Sequence, residues 1–121
     1  MRIIKTKTYE ELSLEAANII RSVIILNPFA VVGLATGSTP IGTYKKLIEW
    51  YNKKEIDFKN ISTINLDEYV GISYDDKCSY HHFMEENLFD KINVNKENTY
   101  IPNGMSNFVS VDLAPGKLHL A

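Results

Sequence analysis

Ala30-Val31-Val32-Gly33-Leu34-Ala35-Thr36-Gly37-Ser38-Thr39-Pro40 is the stretch on which the reading of the fold turns. Its first six residues are apolar with no polar alternation, the pattern of a strand buried on both faces in a helix-covered parallel sheet. The next five are small or polar and turn the chain. Thr39 suits a helix N-cap, and Pro40 suits the first helical position, where a missing N–H leaves nothing unsatisfied. Tyr44, Leu47, Ile48 and Tyr51 then recur at helical spacing, and Lys53-Lys54-Glu55 makes a polar exit. Strand, tight loop, helix is the repeating unit of an α/β sheet.

The flanking segments extend that pattern. Upstream, Arg2-Ile3-Ile4 reads as a short strand. Thr8-Tyr9-Glu10-Glu11 reads as a capping box that opens a helix from about Tyr9 to Leu26. Leu12, Ala16, Ile19, Ile20 and Val23 give that helix an apolar stripe, and Asn27-Pro28 stops it. Downstream, Ile61-Ser62-Thr63-Ile64-Asn65-Leu66 is a β-branched second strand, followed at once by Asp67-Glu68-Tyr69-Val70-Gly71. Ser79 to Phe89 forms a third helix with Tyr80, Phe83, Met84 and Leu88 on one face, and Asn98 to Pro102 a further strand. The expected fold is an open, mostly parallel α/β sheet, Rossmann-like, with right-handed crossovers and helices on both faces. Residues 1–104 carry the pattern. Residues 105–121 do not continue it and read as a poorly ordered end or an edge element.

Composition narrows the classes of function. The chain has 121 residues, 45% of them hydrophobic, with thirteen basic against fifteen acidic side chains and a net charge of −2. That apolar content excludes a disordered chain, and the charge balance offers no basic field for nucleic acid. No apolar run approaches the ~18 residues of a membrane helix. The N-terminal residues lack the apolar core of a secretory signal, so the expected location is cytoplasmic. A lone cysteine, Cys78, makes neither an internal disulfide nor a zinc site, and reads as an incidental thiol.

Ligands of open α/β sheets bind outside the carboxyl ends of the strands, and two polar loops fall there. In Thr36-Gly37-Ser38-Thr39, glycine permits close backbone approach, and the following helix directs unsatisfied amides at the loop, which suits a phosphate. The Walker pattern is absent, and the same residues also suit an ordinary strand-to-helix turn. In the second loop, Asp67 or Glu68 suits a general base if partial desolvation raises its pKa; a solvated or helix-capping acidic pair is the plainer reading. His81 and His82 precede Glu85 and Glu86 by four residues. Two such pairs on one helix do not converge on one ion, so surface pairs are expected, with no metal.

Four of these motifs, in order, resemble one family. Gly33 to Pro40 with Thr43-Tyr44 is similar to the phosphate loop of the glucosamine-6-phosphate deaminases. Asn65-Leu66-Asp67-Glu68-Tyr69-Val70-Gly71 resembles the family's second signature; Ser79-Tyr80 with Phe83-Met84, and Asn98 to Gly104, continue it. The resemblance covers residue 1 to about 104 and implies the N-terminal part of a longer enzyme. It implies conversion of glucosamine 6-phosphate and water to fructose 6-phosphate and ammonia, without metal or organic cofactor. Asp67 aligns with the general base that moves a proton from C2 to C1, Glu68 with a supporting position, and Thr36, Gly37, Ser38 and Thr39 with the phosphate-holding loop. The family's ring-opening motif, Asp-Gly-His-Ile-Ala-Phe-Asn-Glu-Pro, has no match in the 121 residues, and His119 lacks the preceding Asp-Gly. The alternative is therefore a sugar-phosphate-binding or interaction module without turnover. 6-Phosphogluconolactonases fit less well, because residues 67–71 favour the deaminases. An open sheet edge further implies self-association or marginal stability.

Overall fold

The structure is a computed structural model. It describes residues 1–106, together with the backbone of residues 111–114 and 117–120. Helix α1 (Tyr9–Leu26) leads to strand β1 (Val31–Leu34), helix α2 (Ile41–Asn52) and strand β2 (Ser62–Asn65). Helix α3 (Tyr80–Asn87) and two 3₁₀ turns follow, then the short strand β3 (Thr99–Tyr100). β1, β2 and β3 are parallel in that spatial order, with Leu34 beside Asn65 and Ile64 beside Tyr100. The open parallel α/β sheet expected from the sequence is thus present. In the stretch 105–121, β4 (Val111–Ala114) and β5 (Lys117–Leu120) pair antiparallel.

Local chemistry fixes the helix ends. The Thr8 hydroxyl accepts the Glu11 amide at 3.1 Å, as a capping residue should. Glu11 reaches back one residue further than a regular capping box, accepting the Lys7 amide at 2.8 Å. Asn27 closes α1 by donating its amide to the Val23 carbonyl. Ser79 caps α3 by accepting the His82 amide at 3.0 Å. At α2 the expectation fails: Pro40, not Thr39, is the N-cap, and it offers no side-chain hydrogen bond.

One face of the sheet holds the core. Ile20 and Ile24 of α1, Leu47 of α2, and Phe58, Ile61, Leu88 and Ile92 close over Val32, Leu34 and Thr63, leaving a void of only about 10 Å³. Packing at that density makes even one lost methylene costly. Three details differ from the sequence reading. Arg2-Ile3-Ile4 forms no strand, and Ile3 is exposed, since a three-residue segment finds no partner there. In α1 the buried line is Ser13, Ala17 and Ile24, while Leu12, Ile19 and Val23 stay largely exposed. The interface with α2 selects this line; of the expected stripe, Ala16 and Ile20 are half-buried, and Ile20 packs against the core. Finally, β1 is not buried on both faces: Val31 is 61% exposed and Gly33 lies open. Among the described residues β1 pairs with β2 alone.

Candidate phosphate loop and acidic loop at the carboxyl edge

Because β1 and β2 are parallel and end in register at Leu34 and Asn65, their following loops emerge side by side. Parallel neighbours lie ~4.8 Å apart, so residues 35–40 and 66–69 share one edge. The amide of Asn65 donates to the Leu34 carbonyl at 3.2 Å, tying the two strand ends together. The loop after β3 joins the same edge: Gly71 donates its amide to the Gly104 carbonyl at 2.6 Å. A Cβ on Gly104 would lie 2.3 Å from the Tyr69 carbonyl oxygen, so only glycine permits this contact.

The first loop has the form an anion site needs. Gly37 has φ +95°, a left-handed conformation that side chains oppose. Thr36 is half-buried, and Gly37, Ser38 and Thr39 are exposed. The backbone amides of Gly37, Ser38 and Thr39 donate to no group among the described residues. Beneath the loop, a cavity of about 320 Å³ is lined largely by apolar groups, among them Leu12, Ala16, Ile20 and Leu34. Such a lining disfavours a phosphate inside this cavity.

The second loop separates its two carboxylates. Asp67 is exposed, and its side chain forms no hydrogen bond with the described residues. The Glu68 side chain is only 1% exposed. It accepts the amides of Tyr69 and Tyr80 at 2.9 Å each, the His81 amide at 3.1 Å, and His81 Nδ1 at 2.8 Å. Desolvation pushes the Glu68 pKa up, but the Tyr80, Tyr69 and His81 hydrogen bonds outweigh it and hold the carboxyl below its ordinary value. Glu68 is therefore a fixed anion that pins the loop to the start of α3. Partial desolvation, the condition set for a neutral-range base, is met at Glu68 with the opposite consequence and is not met at Asp67.

His81 departs from the sequence reading. The spacing predicts a surface pair with Glu85; instead His81 turns to Glu68, and its ring lies tilted against Tyr74 with centroids 4.4 Å apart. Glu85 accepts the Tyr74 hydroxyl at 2.5 Å. His82 does approach Glu86, at 3.7 Å. Cys78 is exposed. His119 lies on β5 opposite Asp112, and its side chain lies outside the described residues. Sequence reasoning also missed Tyr9. Its hydroxyl touches the first loop from 29 residues away, a contact that no local spacing announces.

No family model matches the sequence. Individual relatives do. Over 107 residues the chain is 56% identical to a glucosamine-6-phosphate deaminase of Lachnoclostridium phytofermentans, which covers 88% of this chain and 45% of that protein. With the deaminase of Alkaliphilus metalliredigens the identity is 57% over 106 residues, 88% of this chain and 44% of the relative. Among solved structures, a monomeric glucosamine-6-phosphate deaminase superposes with a TM-score of 0.85 at 45% identity, over 89% of this chain and 45% of that one. Over 88% of its length the chain is homologous to glucosamine-6-phosphate deaminases. It spans about half the length of the curated relatives it matches. The 6-phosphogluconolactonase of Thermotoga maritima shares the fold alone, with a TM-score of 0.64 at 16% identity over 85% of this chain and 45% of that one.

Proposed function

We propose that the edge formed by residues 35–40 and 66–69 binds glucosamine 6-phosphate and takes part in its deamination to fructose 6-phosphate and ammonia. The observation that carries this reading is the side-by-side exit of an amide-bearing loop and an unengaged carboxylate from paired parallel strands. The amides of Gly37, Ser38 and Thr39 and the nearby hydroxyls hold the phosphate. Asp67 takes the C2 proton of the open-chain sugar, and the same proton is returned to C1. With one proton of the C2 ammonium passing to O1, that shift leaves a C1 hydroxyl and an iminium at C2; water adds to it, ammonia departs, and the C2 ketone of fructose 6-phosphate remains. Asp67 is suited to the transfer because no protein group among those described already occupies its oxygens. Glu68 supports it by fixing the intervening backbone, and takes no proton.

Calorimetry tests the binding half. Glucosamine 6-phosphate should bind and unphosphorylated glucosamine should not; equal or absent heats for both would refute the assignment. A second reading, binding without turnover, is favoured by the commitment of His81 to Glu68. It leaves no imidazole among the described residues placed to open the ring in the way the family resemblance requires. Binding with no ammonia release at high protein concentration would select this second reading.

A further inference from the structure

Two tyrosine hydroxyls bracket the candidate phosphate loop, one at each end. Tyr44, on α2, is 2% exposed. Its hydroxyl accepts the Ala35 amide at 3.0 Å and donates to the Ala35 carbonyl, so one group satisfies both backbone atoms where the loop leaves β1. Burial pushes the Tyr44 hydroxyl up to about 12, against the opposing hydrogen bond to Ala35, so it remains a donor at any ordinary pH. Tyr9, in the first turn of α1, works from the other side. Its hydroxyl accepts the Gly42 amide at 2.8 Å and faces the carbonyls of Ser38 at 3.0 Å and Thr39 at 3.1 Å.

These contacts explain why α2 needs no side-chain cap. The amide of its second residue is taken by Tyr9, supplied from another helix. They also explain Gly42. A Cβ there would sit 2.2 Å from Ser13 Oγ and 2.9 Å from the Tyr9 ring, so α1 and α2 meet closely enough only because that position is glycine. Meanwhile the amides of Gly37, Ser38 and Thr39 donate to no group among the described residues. The clamp thus engages the loop's carbonyls and its two ends, and none of its contacts uses the amides of Gly37, Ser38 or Thr39.

We infer that Tyr9 and Tyr44 are positioning residues that hold the loop in its anion-binding form before ligand arrives; this rests on the phosphate-binding reading given above. Both hydroxyls act on the loop's backbone. Preorganisation lowers the cost of ordering a loop on binding, so its loss should weaken affinity for the phosphorylated ligand in particular.

Tyr9→Phe keeps the ring and removes the hydroxyl, and the residue is 46% exposed, so the variant should fold. Calorimetry with glucosamine 6-phosphate on wild type and Tyr9→Phe is to be paired with amide hydrogen exchange at Gly42. The expected result is a Kd about 5–10-fold weaker, the loss of one or two ordinary hydrogen bonds, with Gly42 exchanging at least about tenfold faster. Tyr44→Phe should weaken binding similarly while accelerating exchange at Ala35 rather than at Gly42. Equal affinities in wild type and Tyr9→Phe, or unchanged Gly42 exchange, would overturn the clamp. Absence of binding by wild type itself would instead overturn the functional reading on which the clamp's role depends.

Discussion

Replacing Glu68 by glutamine removes one charge from a carboxylate whose side chain is 1% exposed and which accepts four hydrogen bonds. The amide oxygen of glutamine can keep the Tyr69 and Tyr80 donors. Its NH₂ group then faces the His81 amide and His81 Nδ1. The imidazole can change tautomer and accept, but the backbone amide cannot, so at least one buried donor is orphaned. An orphaned donor costs about 1–3 kcal/mol, and loss of an anion at the first turn of α3 adds about 0.3–1 kcal/mol. Glu68→Gln should therefore lose about 1–4 kcal/mol at pH 7, measured by urea denaturation. The folded carboxyl has its pKa below the unfolded value, so its stabilisation is complete above about pH 5 and disappears as pH falls through the folded pKa. The gap between wild type and variant must narrow over that range. The other lowered carboxyls, Glu49 and Asp57, are present in both proteins and cancel. A variant within about 0.5 kcal/mol of wild type at pH 7, the scatter of ordinary surface changes, would refute the reasoning. So would a gap that stays constant with pH.

Two other outcomes are expected. Gly37→Ala meets no atom within 4 Å but must adopt φ +95°, so it should destabilise by about 1–2 kcal/mol through backbone strain alone and weaken glucosamine 6-phosphate binding; calorimetry and thermal melts read both. Val31→Lys places a charge on β1, an edge strand among the described strands, where Val31 is 61% exposed. We expect wild type to self-associate with rising concentration in sedimentation velocity runs and Val31→Lys to do so less. A strictly monomeric wild type would contradict that expectation.

The helices were legible because their signals are local. Thr8 three residues before Glu11, Asn27 before Pro28, and Ser79 before an apolar face each act within one turn, where propensity and capping decide. The parallel pairing of β1 and β2 followed from apolar runs separated by a helix, and the loop residues Thr36 to Thr39 and Asp67 from their place after those runs. What escaped the sequence depends on pairing at long range. Tyr9 reaches residues 38–42 only because Gly42 lets α1 and α2 approach. His81 turns from Glu85 to Glu68 because that carboxylate is drawn under the start of α3 by three backbone amides. The double burial expected for β1 failed for a related reason. An apolar run reports what a strand is suited to meet, whereas exposure depends on which elements cover it.

Ammonia release from glucosamine 6-phosphate, by wild type and by Asp67→Asn at equal concentration, tests the central claim most directly. Asparagine keeps the shape of an exposed side chain and removes its ability to take a proton, so folding should be unchanged. A positioned general base contributes typically about 10²–10⁴-fold, and Asp67→Asn should lose activity by a factor in that range while still binding the sugar phosphate. Equal rates in the two proteins would contradict the assignment of Asp67 as the base.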